Sequence, residues 1–432
     1  MTPARTPAVG GTREVPVPDA IARDYLLLAL RLDQHLPGTV DGYFGPADLK
    51  ARVDTEQLRS LARLAGDAAA LRDALPAEVA EPDRRHWLEL QLIAIETLAR
   101  VAAGDDVPYE TQVERCFAYE PRRRPDAVFD AAARELDAVL PGAGSLAERL
   151  AAVDASWVVE PDRIAAVSDV VVPRLRARAE RLFGLPPDEE VRVSLVRNQP
   201  WSGYNWYGGG YRSRVDLNVD LPVTLPRLLE TLAHETYPGH HLEHASKEQL
   251  LVEGLGRLEA SAILLNTPED MIGEGLAELG QTVGIPEDDL AAQLTELAPL
   301  AAVPLLEDRA ALEVAASRQA TVDRSRQALA ASRNNAAFML HADGEAREPV
   351  LEYLIDVGRY LPEVAVKALE FLSIPLLRLH NQVNADGLEL LREWVDGADG
   401  AARGQRFGRL LREPLTPPAV RALIAEDEAG AA

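Results

Sequence analysis

The chain has 432 residues, and its 47% hydrophobic and 26% charged residues are typical of a globular protein. Its 69 acidic residues outnumber its 45 basic residues, and the formal charge of −24 argues against nucleic acids and anionic membranes as partners. No apolar run approaches the roughly 18 residues of a membrane-spanning helix, and the length suits one large enzyme domain or two packed lobes.

Residues 1–17 are rich in proline, glycine and threonine. They lack the apolar stretch of roughly 7 to 15 residues that a secretory signal needs, so we predict a disordered lead-in and a cytoplasmic location. The chain has 1 cysteine, Cys116, which excludes an internal disulfide and a cysteine pair as metal ligands.

Residues 18–185 have the pattern of a helical N-terminal lobe. Apolar residues recur there at three- and four-residue spacing, as at Ile21, Leu26 and Leu30. Helical spacing returns after Pro222 and continues almost to the end of the chain, so we predict a second lobe over residues 186–432.

The pattern changes between residues 190 and 220, where we predict a small β-sheet. The segment VRVSLV is β-branched and alternating, and Val215, Leu217 and Val219 alternate with polar residues. The whole chain is therefore predicted to be mainly α with a small sheet. Near its end, the polar stretch His380–Gly387 predicts a loop.

The segment WSGYNWYGGGYRSR, inside the predicted sheet, combines aromatic residues with glycines. We expect Trp206 and Tyr211 to line the entrance to a substrate site, with ordinary packing at the strand ends as the alternative. The strand over residues 214–220 could pair with an extended peptide, and Asn218 is its candidate substrate-binding residue.

Four of the 8 histidines lie within eleven consecutive positions, in the segment HETYPGHHLEH. Leucines at helical spacing precede this segment, Thr224 can cap the helix that they predict, and Pro226 suits its first turn. His234 therefore projects from a packed amphipathic helix. Clustered histidines beside a glutamate are typical of a zinc site, in which Glu235 would act as general base.

The second predicted ligand, His240, follows His234 by six positions instead of four. In an unbroken helix the two residues would be separated by about 9 Å of rise, too far to share an ion with bonds of about 2.0 Å. Pro238 removes a backbone donor and Gly239 tolerates unusual torsion angles, so we predict that the helix breaks there and turns His240 back toward His234.

A zinc enzyme commonly takes its third protein ligand from further along the chain and leaves a fourth position for water. Glu274, in the helical segment GEGLAELG, is the candidate, and the glycine after it would permit close approach to the site. Glu278, one turn later, could support a ligating histidine. The alternative for both glutamates is a solvated helix face.

A rival motif overlaps this one. The letters HHLEH match the inverted zinc motif, with His240 and His244 as ligands at true four-residue spacing and Glu243 as base.

The segments HETYPGHHLE, GEGLAEL and GRYLP together resemble the bacterial domain-of-unknown-function 885 family, with a weaker match in HLPGTVDGYFGP. That family is grouped with zincin-like metallopeptidases, so the resemblance implies a zincin-like helical enzyme, with residues 186–432 as the catalytic lobe and a small sheet beside the metal helix. It implies that His234, His240 and Glu274 bind one zinc ion, that Glu235 is the base, and that His241 is an alternative ligand or oxyanion donor. It disfavours the inverted motif, because the family has glutamine where this chain has a glutamate in HHLE.

We therefore expect a zinc metallopeptidase that acts on short peptides, in which Glu235 passes a proton from water to the leaving amine. His241 or Tyr360 would stabilise the oxyanion, and the alternative for Tyr360 is helix packing. Two other functions stay open: a metal-dependent amidohydrolase with a non-peptide substrate, and a non-catalytic helical binding protein with a decayed site.

Overall fold

A computed structural model describes residues 19–199, 201–398 and 400–431. It is mainly helical with two small sheets, which confirms the predicted fold class. The predicted lead-in, residues 1–17, lies outside the described residues. Within the described part of the chain, no helix has the length and apolar character needed to cross a membrane.

The first half of the chain is a run of helices with one short strand. These elements are α1 (Ala20–Asp33), β1 (Val40–Tyr43), α2 (Ala47–Thr55), α3 (Leu61–Glu78), α4 (Pro82–Ala102), α5 (Tyr109–Phe117), α6 (Asp126–Val139), α7 (Leu146–Ser156) and α8 (Ile164–Phe183).

The second half begins with the predicted strands and then returns to helix. Its elements are β2 (Glu190–Val196), β3 (Gly203–Tyr207), β4 (Arg212–Asn218), α9 (Leu225–Glu235), α10 (His240–Lys247), a π-helix (Glu248–Gly254), a 3-10 helix (Leu258–Ser261), β5 (Ala262–Leu264), α11 (Pro268–Gly284), α12 (Glu287–Ala301), a 3-10 helix (Pro304–Glu307), α13 (Arg309–Ala330), α14 (Ser332–His341), α15 (Arg347–Asp356), α16 (Pro362–Leu372), α17 (Asn381–Val395), α18 (Gly400–Leu410) and α19 (Pro417–Ala431).

The larger sheet has three strands in the order β2-β4-β3, with β2 parallel and β3 antiparallel to β4. Because β4 is the central strand, both of its edges are already paired. The prediction that a substrate peptide pairs with residues 214–220 is therefore wrong, and β3 is the edge strand on the side of α9. The smaller sheet pairs β1 with β5 in antiparallel fashion.

One hydrophobic core extends from Ile21 in α1 to Val420 in α19. Both predicted lobes contribute side chains to it, and the predicted boundary after residue 185 falls in the connection between α8 and β2. The division into lobes stays a prediction, because the shared core gives neither half a separate interior.

Three helices of the second half position the site. α11 packs against both α9 and α17. A Cβ added to Gly275 of α11 would lie 2.5 Å from the backbone of Gly387 in α17, so these two helices meet through glycines. The glycine after Glu274 thus permits close approach to α17, whereas it was predicted to permit close approach to the site.

Candidate metal centre

The segment that carries the histidines is broken, as predicted. α9 ends at Glu235 and α10 begins at His240. The Tyr237–Pro238 peptide bond between them is cis. The Gly239 amide donates a hydrogen bond to the carbonyl of Ala233 at 3.2 Å, so the connecting turn folds back onto the last turn of α9.

This turn brings two imidazoles and one carboxylate together. The Nε2 atoms of His234 and His240 lie 3.1 Å apart. Glu274 reaches them from α11, with Oε2 3.6 Å from Nε2 of His234 and Oε1 3.4 Å from Nε2 of His240. The three residues predicted as metal ligands therefore meet at one point.

The separations of these ligand atoms fit one shared zinc ion. Zinc bonds of about 2.0 Å at tetrahedral angles hold neighbouring ligand atoms about 3.3 Å apart. The two Nε2 atoms are 3.1 Å apart, and the two oxygens of Glu274 lie 3.4 Å from one of them and 3.6 Å from the other, all close to that value. Two histidines and a glutamate are also a donor set that zinc accepts in catalytic sites, where a fourth position is left for water.

The three groups are largely buried, and each affects the protonation of the others. Burial would raise the pKa of Glu274, but His240 and His234 hold it well below its ordinary value. Burial would lower the pKa of His240, but Glu274 and Glu243 raise it well above its ordinary value. The carboxylate of Glu274 and the imidazole of His240 therefore each favour the charged form of the other.

Each predicted ligand has a polar neighbour that can orient it. The Nδ1 atom of His234 lies 3.8 Å from Oε1 of Glu278, and Nδ1 of His240 lies 3.7 Å from Oε2 of Glu243. Asn384 of α17 donates a hydrogen bond to Oε2 of Glu274 at 2.8 Å. Carboxylates on the second imidazole nitrogen direct the first nitrogen toward a metal. Glu278 thus occupies the supporting position expected from its spacing.

Glu235, the predicted base, is buried at the end of α9 beside the edge strand. The Nδ2 atom of Asn205 in β3 donates to the main-chain oxygen of Glu235 at 2.7 Å. A Cβ on Gly203 would lie 3.2 Å from Oε1 of Glu235, so the missing side chain leaves room for this carboxylate. Burial raises the pKa of Glu235 although His234 and His240 lower it, and a raised pKa suits a proton acceptor at neutral pH.

The rival motif also forms a group of possible ligands, His240, Glu243 and His244. The rings of the two histidines are stacked, with centroids 5.7 Å apart. Glu243 is 2% exposed and accepts a hydrogen bond from Nζ of Lys247 at 2.7 Å, so this carboxylate already has a buried cationic partner. Because Nε2 of His240 faces Glu274, the geometry favours the first set of ligands.

His241 lies away from this centre, which corrects its predicted role as a ligand or oxyanion donor. Its Nδ1 is 2.9 Å from Oγ of Ser213 and its Nε2 is 2.9 Å from Oε2 of Glu189, so both ring nitrogens are engaged in the protein interior. Tyr237 and Arg176 also hydrogen-bond to Glu189. This buried network ties the turn between α9 and α10 to the sheet.

Two of the predicted substrate-binding residues have structural partners instead. The Nε1 atom of Trp206 donates to Asp216 at 2.9 Å, and its ring packs against Tyr204 with centroids 4.4 Å apart. Tyr211 is only 1% exposed, and its hydroxyl donates to Glu253 at 2.5 Å. Trp206 is half-buried and packs on the sheet, so its place at an entrance stays a prediction, whereas burial excludes Tyr211 from the lining of an entrance.

The third of these residues, Asn218, also has a structural role. Its Nδ2 donates to the main-chain oxygens of Gln199 and Trp201, and its Oδ1 accepts from the amide of Asp220. The side chain therefore holds the connection between β2 and β3 and has no free donor for a substrate.

Tyr360 lies in the connection between α15 and α16 and lines a cavity of about 370 Å³. Glu278 lines the same cavity. Tyr360 therefore lines the same cavity as the glutamate beside His234, and its role as an oxyanion donor stays a prediction.

A second polar cluster, formed by Asp41, Asp270 and His380, lies beside the candidate metal centre and was not predicted from the sequence. Tyr204 donates a hydrogen bond to Asp41, and Nδ1 of His380 lies 3.7 Å from Oδ2 of Asp270. Burial, with repulsion from Asp270, raises the pKa of Asp41 to about 7. The available signals were the position of Asp270 one helical turn before Glu274, and the place of Asp41 in HLPGTVDGYFGP.

Comparison with known proteins gives no family assignment. No family model matches the chain, and no curated protein matches it. Among solved structures, the chain is similar to the putative lipoprotein from Colwellia psychrerythraea, with 14% identity and a TM-score of 0.49 over 89% of this chain and 62% of that chain. The chain thus spans less than two thirds of that protein, and the similarity is too low to support a functional assignment. The resemblance to the domain-of-unknown-function 885 family rests on the motifs alone.

Proposed function

We propose that this protein is a zinc-dependent hydrolase, and most specifically a metallopeptidase, whose ion is held by His234, His240 and Glu274. The proposal rests above all on three distances: 3.1 Å between the two imidazole Nε2 atoms, and 3.4 and 3.6 Å from these nitrogens to the two carboxylate oxygens of Glu274. These distances are close to the separation of neighbouring ligand atoms on one tetrahedral ion. Burial of Glu235 beside this group supports catalysis, because a structural zinc site has no need of a base next to its ligand.

The residues of the chain divide the reaction between them. When bound, zinc supplies Lewis-acid activation of a water molecule and of the scissile carbonyl group. Glu235 accepts the proton of the attacking water and then donates it to the leaving amine, a role that its raised pKa favours. Glu278 and Glu243 lie 3.8 and 3.7 Å from the second nitrogens of the two imidazoles, where their charges favour the ligating orientation, and Asn384 hydrogen-bonds to the carboxylate of Glu274.

The edge strand supports a peptide as the substrate. β3 is at the edge of its sheet, and Asn205 joins it to the main chain of Glu235. An extended peptide that adds to a free strand edge gains main-chain hydrogen bonds along its length. Such pairing at β3 would align a scissile amide beside Glu235.

The proposal is tested with zinc-loaded protein and a panel of short peptides and acylated amines. We expect hydrolysis of peptides, and Glu235→Gln should retain zinc while losing about 10²- to 10⁴-fold in kcat, the range typical of a general base. Glu110→Gln, at an exposed position of α5, is the matched control and should keep full activity. Hydrolysis of acylated amines alone would favour the amidohydrolase. Absence of turnover, or full activity in Glu235→Gln, would contradict the proposal.

A further inference from the structure

The cavity of about 370 Å³ is lined by residues of α9 and α11, the two helices that also carry His234 and Glu274. On α9, Arg227 and Glu230 line it and precede the ligand His234 by seven and four positions. On α11, Glu278 lines it and follows the ligand Glu274 by four positions. Residues three, four and seven apart share a helix face, so the cavity begins about one helical turn, roughly 5 Å, from the predicted zinc ligands.

Arginines are concentrated in this cavity. Six arginines and four carboxylates line it, and two carboxylates outside the lining, Asp154 and Asp130, pair with two of the arginines. Four of these arginines pair with carboxylates, namely Arg227, Arg324, Arg326 and Arg359. Within the described part of the chain, the other two, Arg333 and Arg392, form no ion pair. Guanidinium groups that form no ion pair within the protein can pair with an anionic ligand.

Arg392 connects the cavity with the metal centre. Its Nη2 donates to Oε1 of Gln327 at 3.0 Å, and Nε2 of Gln327 donates to Oε2 of Glu278 at 3.0 Å. The other oxygen of Glu278 faces Nδ1 of His234 at 3.8 Å. Burial lowers the pKa of Arg392, and a bound anion would compensate for the solvation that this guanidinium has lost.

We infer that this cavity binds the C-terminal carboxylate of the substrate, with the guanidinium groups of Arg392 and Arg333 as its partners. One residue of extended chain spans about 3.5 Å, so a carboxylate one or two residues beyond the scissile amide reaches a cavity one helical turn away. A guanidinium fork binds a carboxylate through two parallel hydrogen bonds. The volume suits one or two residues, which makes this a peptidase that removes the C-terminal end of short peptides. The inference rests on the proposed function.

The inference is tested by binding without turnover. Zinc-loaded Glu235→Gln is titrated calorimetrically with N-acetyl-Ala-Phe and with the same peptide carrying a C-terminal amide. We expect the free acid to bind at least about tenfold more tightly, the typical contribution of a charge-assisted hydrogen bond. Adding Arg392→Met or Arg333→Met should weaken binding of the acid and leave binding of the amide unchanged. Arg309→Met, at an exposed arginine of α13, is the control and should change neither.

Equal binding of the acid and the amide, or no binding of either, would overturn the inference. This comparison of two ligands needs no cavity variant, so a variant that fails to fold cannot obscure the result. Failure of the proposed function has a different signature. If zinc-loaded wild-type protein hydrolyses no peptide while Glu235→Gln still prefers the acid, the cavity assignment stands and the hydrolase does not. Hydrolysis of acid and amide with equal kcat/KM would contradict the cavity assignment alone.

Discussion

Replacement of Gly239 by alanine is predicted to destroy the metal centre. A Cβ at this position would lie 1.8 Å from the carbonyl oxygen of His234, 2.5 Å from its carbonyl carbon and 2.7 Å from the carbonyl oxygen of Ala233. Real Cβ atoms do not come closer than 3.0 Å to such atoms, so the turn must open by more than 1 Å. The φ angle of Gly239 is −79°, so the need for glycine is steric.

A displacement of this size is large compared with the tolerance of about 0.2 Å in zinc bond lengths. The clash involves backbone atoms, which cannot rotate aside. We therefore expect Gly239→Ala to lose at least about 10- to 100-fold in zinc affinity, the loss typical when the groups that orient zinc ligands are disturbed. The free energy of unfolding should fall by about 1–3 kcal/mol or more, as in an overpacked interior.

The assay is zinc content after dialysis against a competing chelator, with thermal unfolding measured in parallel. Gly66→Ala in α3 is the matched control, because a Cβ there meets nothing within 4 Å. It should bind zinc normally and be more stable by about 0.5–1 kcal/mol, the usual gain from alanine in a helix. A Gly239→Ala protein with one zinc per chain, wild-type affinity and wild-type Tm would refute the reasoning.

Three further changes test separate parts of the structure. Glu278→Gln keeps the size of the side chain beside His234 but removes its charge, so the zinc affinity measured by competition should fall about 10- to 100-fold. An unchanged zinc affinity would show that Glu278 does not orient His234. His241→Phe should lower the free energy of unfolding in urea by about 2–3 kcal/mol, because the buried polar groups that contact this ring lose their partner. The variant should still bind zinc at saturation. Loss of zinc from a protein of normal stability would restore His241 as a ligand. Burial, opposed by Arg124, raises the pKa of Asp386 from 3.8 to about 6, so the stability that this group contributes is complete below about pH 4 and is lost as the pH rises through 6. Asp386→Asn should therefore show a smaller fall in unfolding free energy between pH 4 and pH 7 than the wild type, and an identical fall would contradict that raised pKa.

The main features of the site could be predicted from short-range sequence signals. Leucine spacing and Thr224 placed the start of α9, and the hydroxyl of Thr224 does accept a hydrogen bond from the amide of Arg227. The Pro238–Gly239 pair predicted a break because proline and glycine act on the local backbone. That break was the condition for His234 and His240 to converge, and their Nε2 atoms do meet.

The errors concern contacts that depend on the tertiary fold. His241 is adjacent to His240 in sequence, but successive residues of a helix point about 100° apart, and its ring faces Glu189 instead of Glu274. Strand order cannot be read from alternation, so β4 was taken for an accessible strand although it is the central one. Asn218, on this strand, was therefore assigned to substrate binding although its side chain is bonded within the loop beside it.

The polar stretch His380–Gly387 was predicted to be a loop, yet α17 begins at Asn381. Its polar residues make tertiary contacts, which a local sequence pattern does not reveal. Asn384 hydrogen-bonds to Glu274, and Gly387 provides the close approach to Gly275 of α11. These polar and glycine residues usually favour turns. Here their contacts with neighbouring helices at the candidate metal centre outweigh that local preference, and the segment is helical.

The most direct measurement is the position of a bound metal in a crystal of the zinc-loaded protein, located by anomalous scattering at the zinc edge. We predict one strong peak about 2.0–2.2 Å from Nε2 of His234, from Nε2 of His240 and from a carboxylate oxygen of Glu274. A peak bound instead by His240 and His244, or no peak near His234 at full zinc loading, would contradict the account.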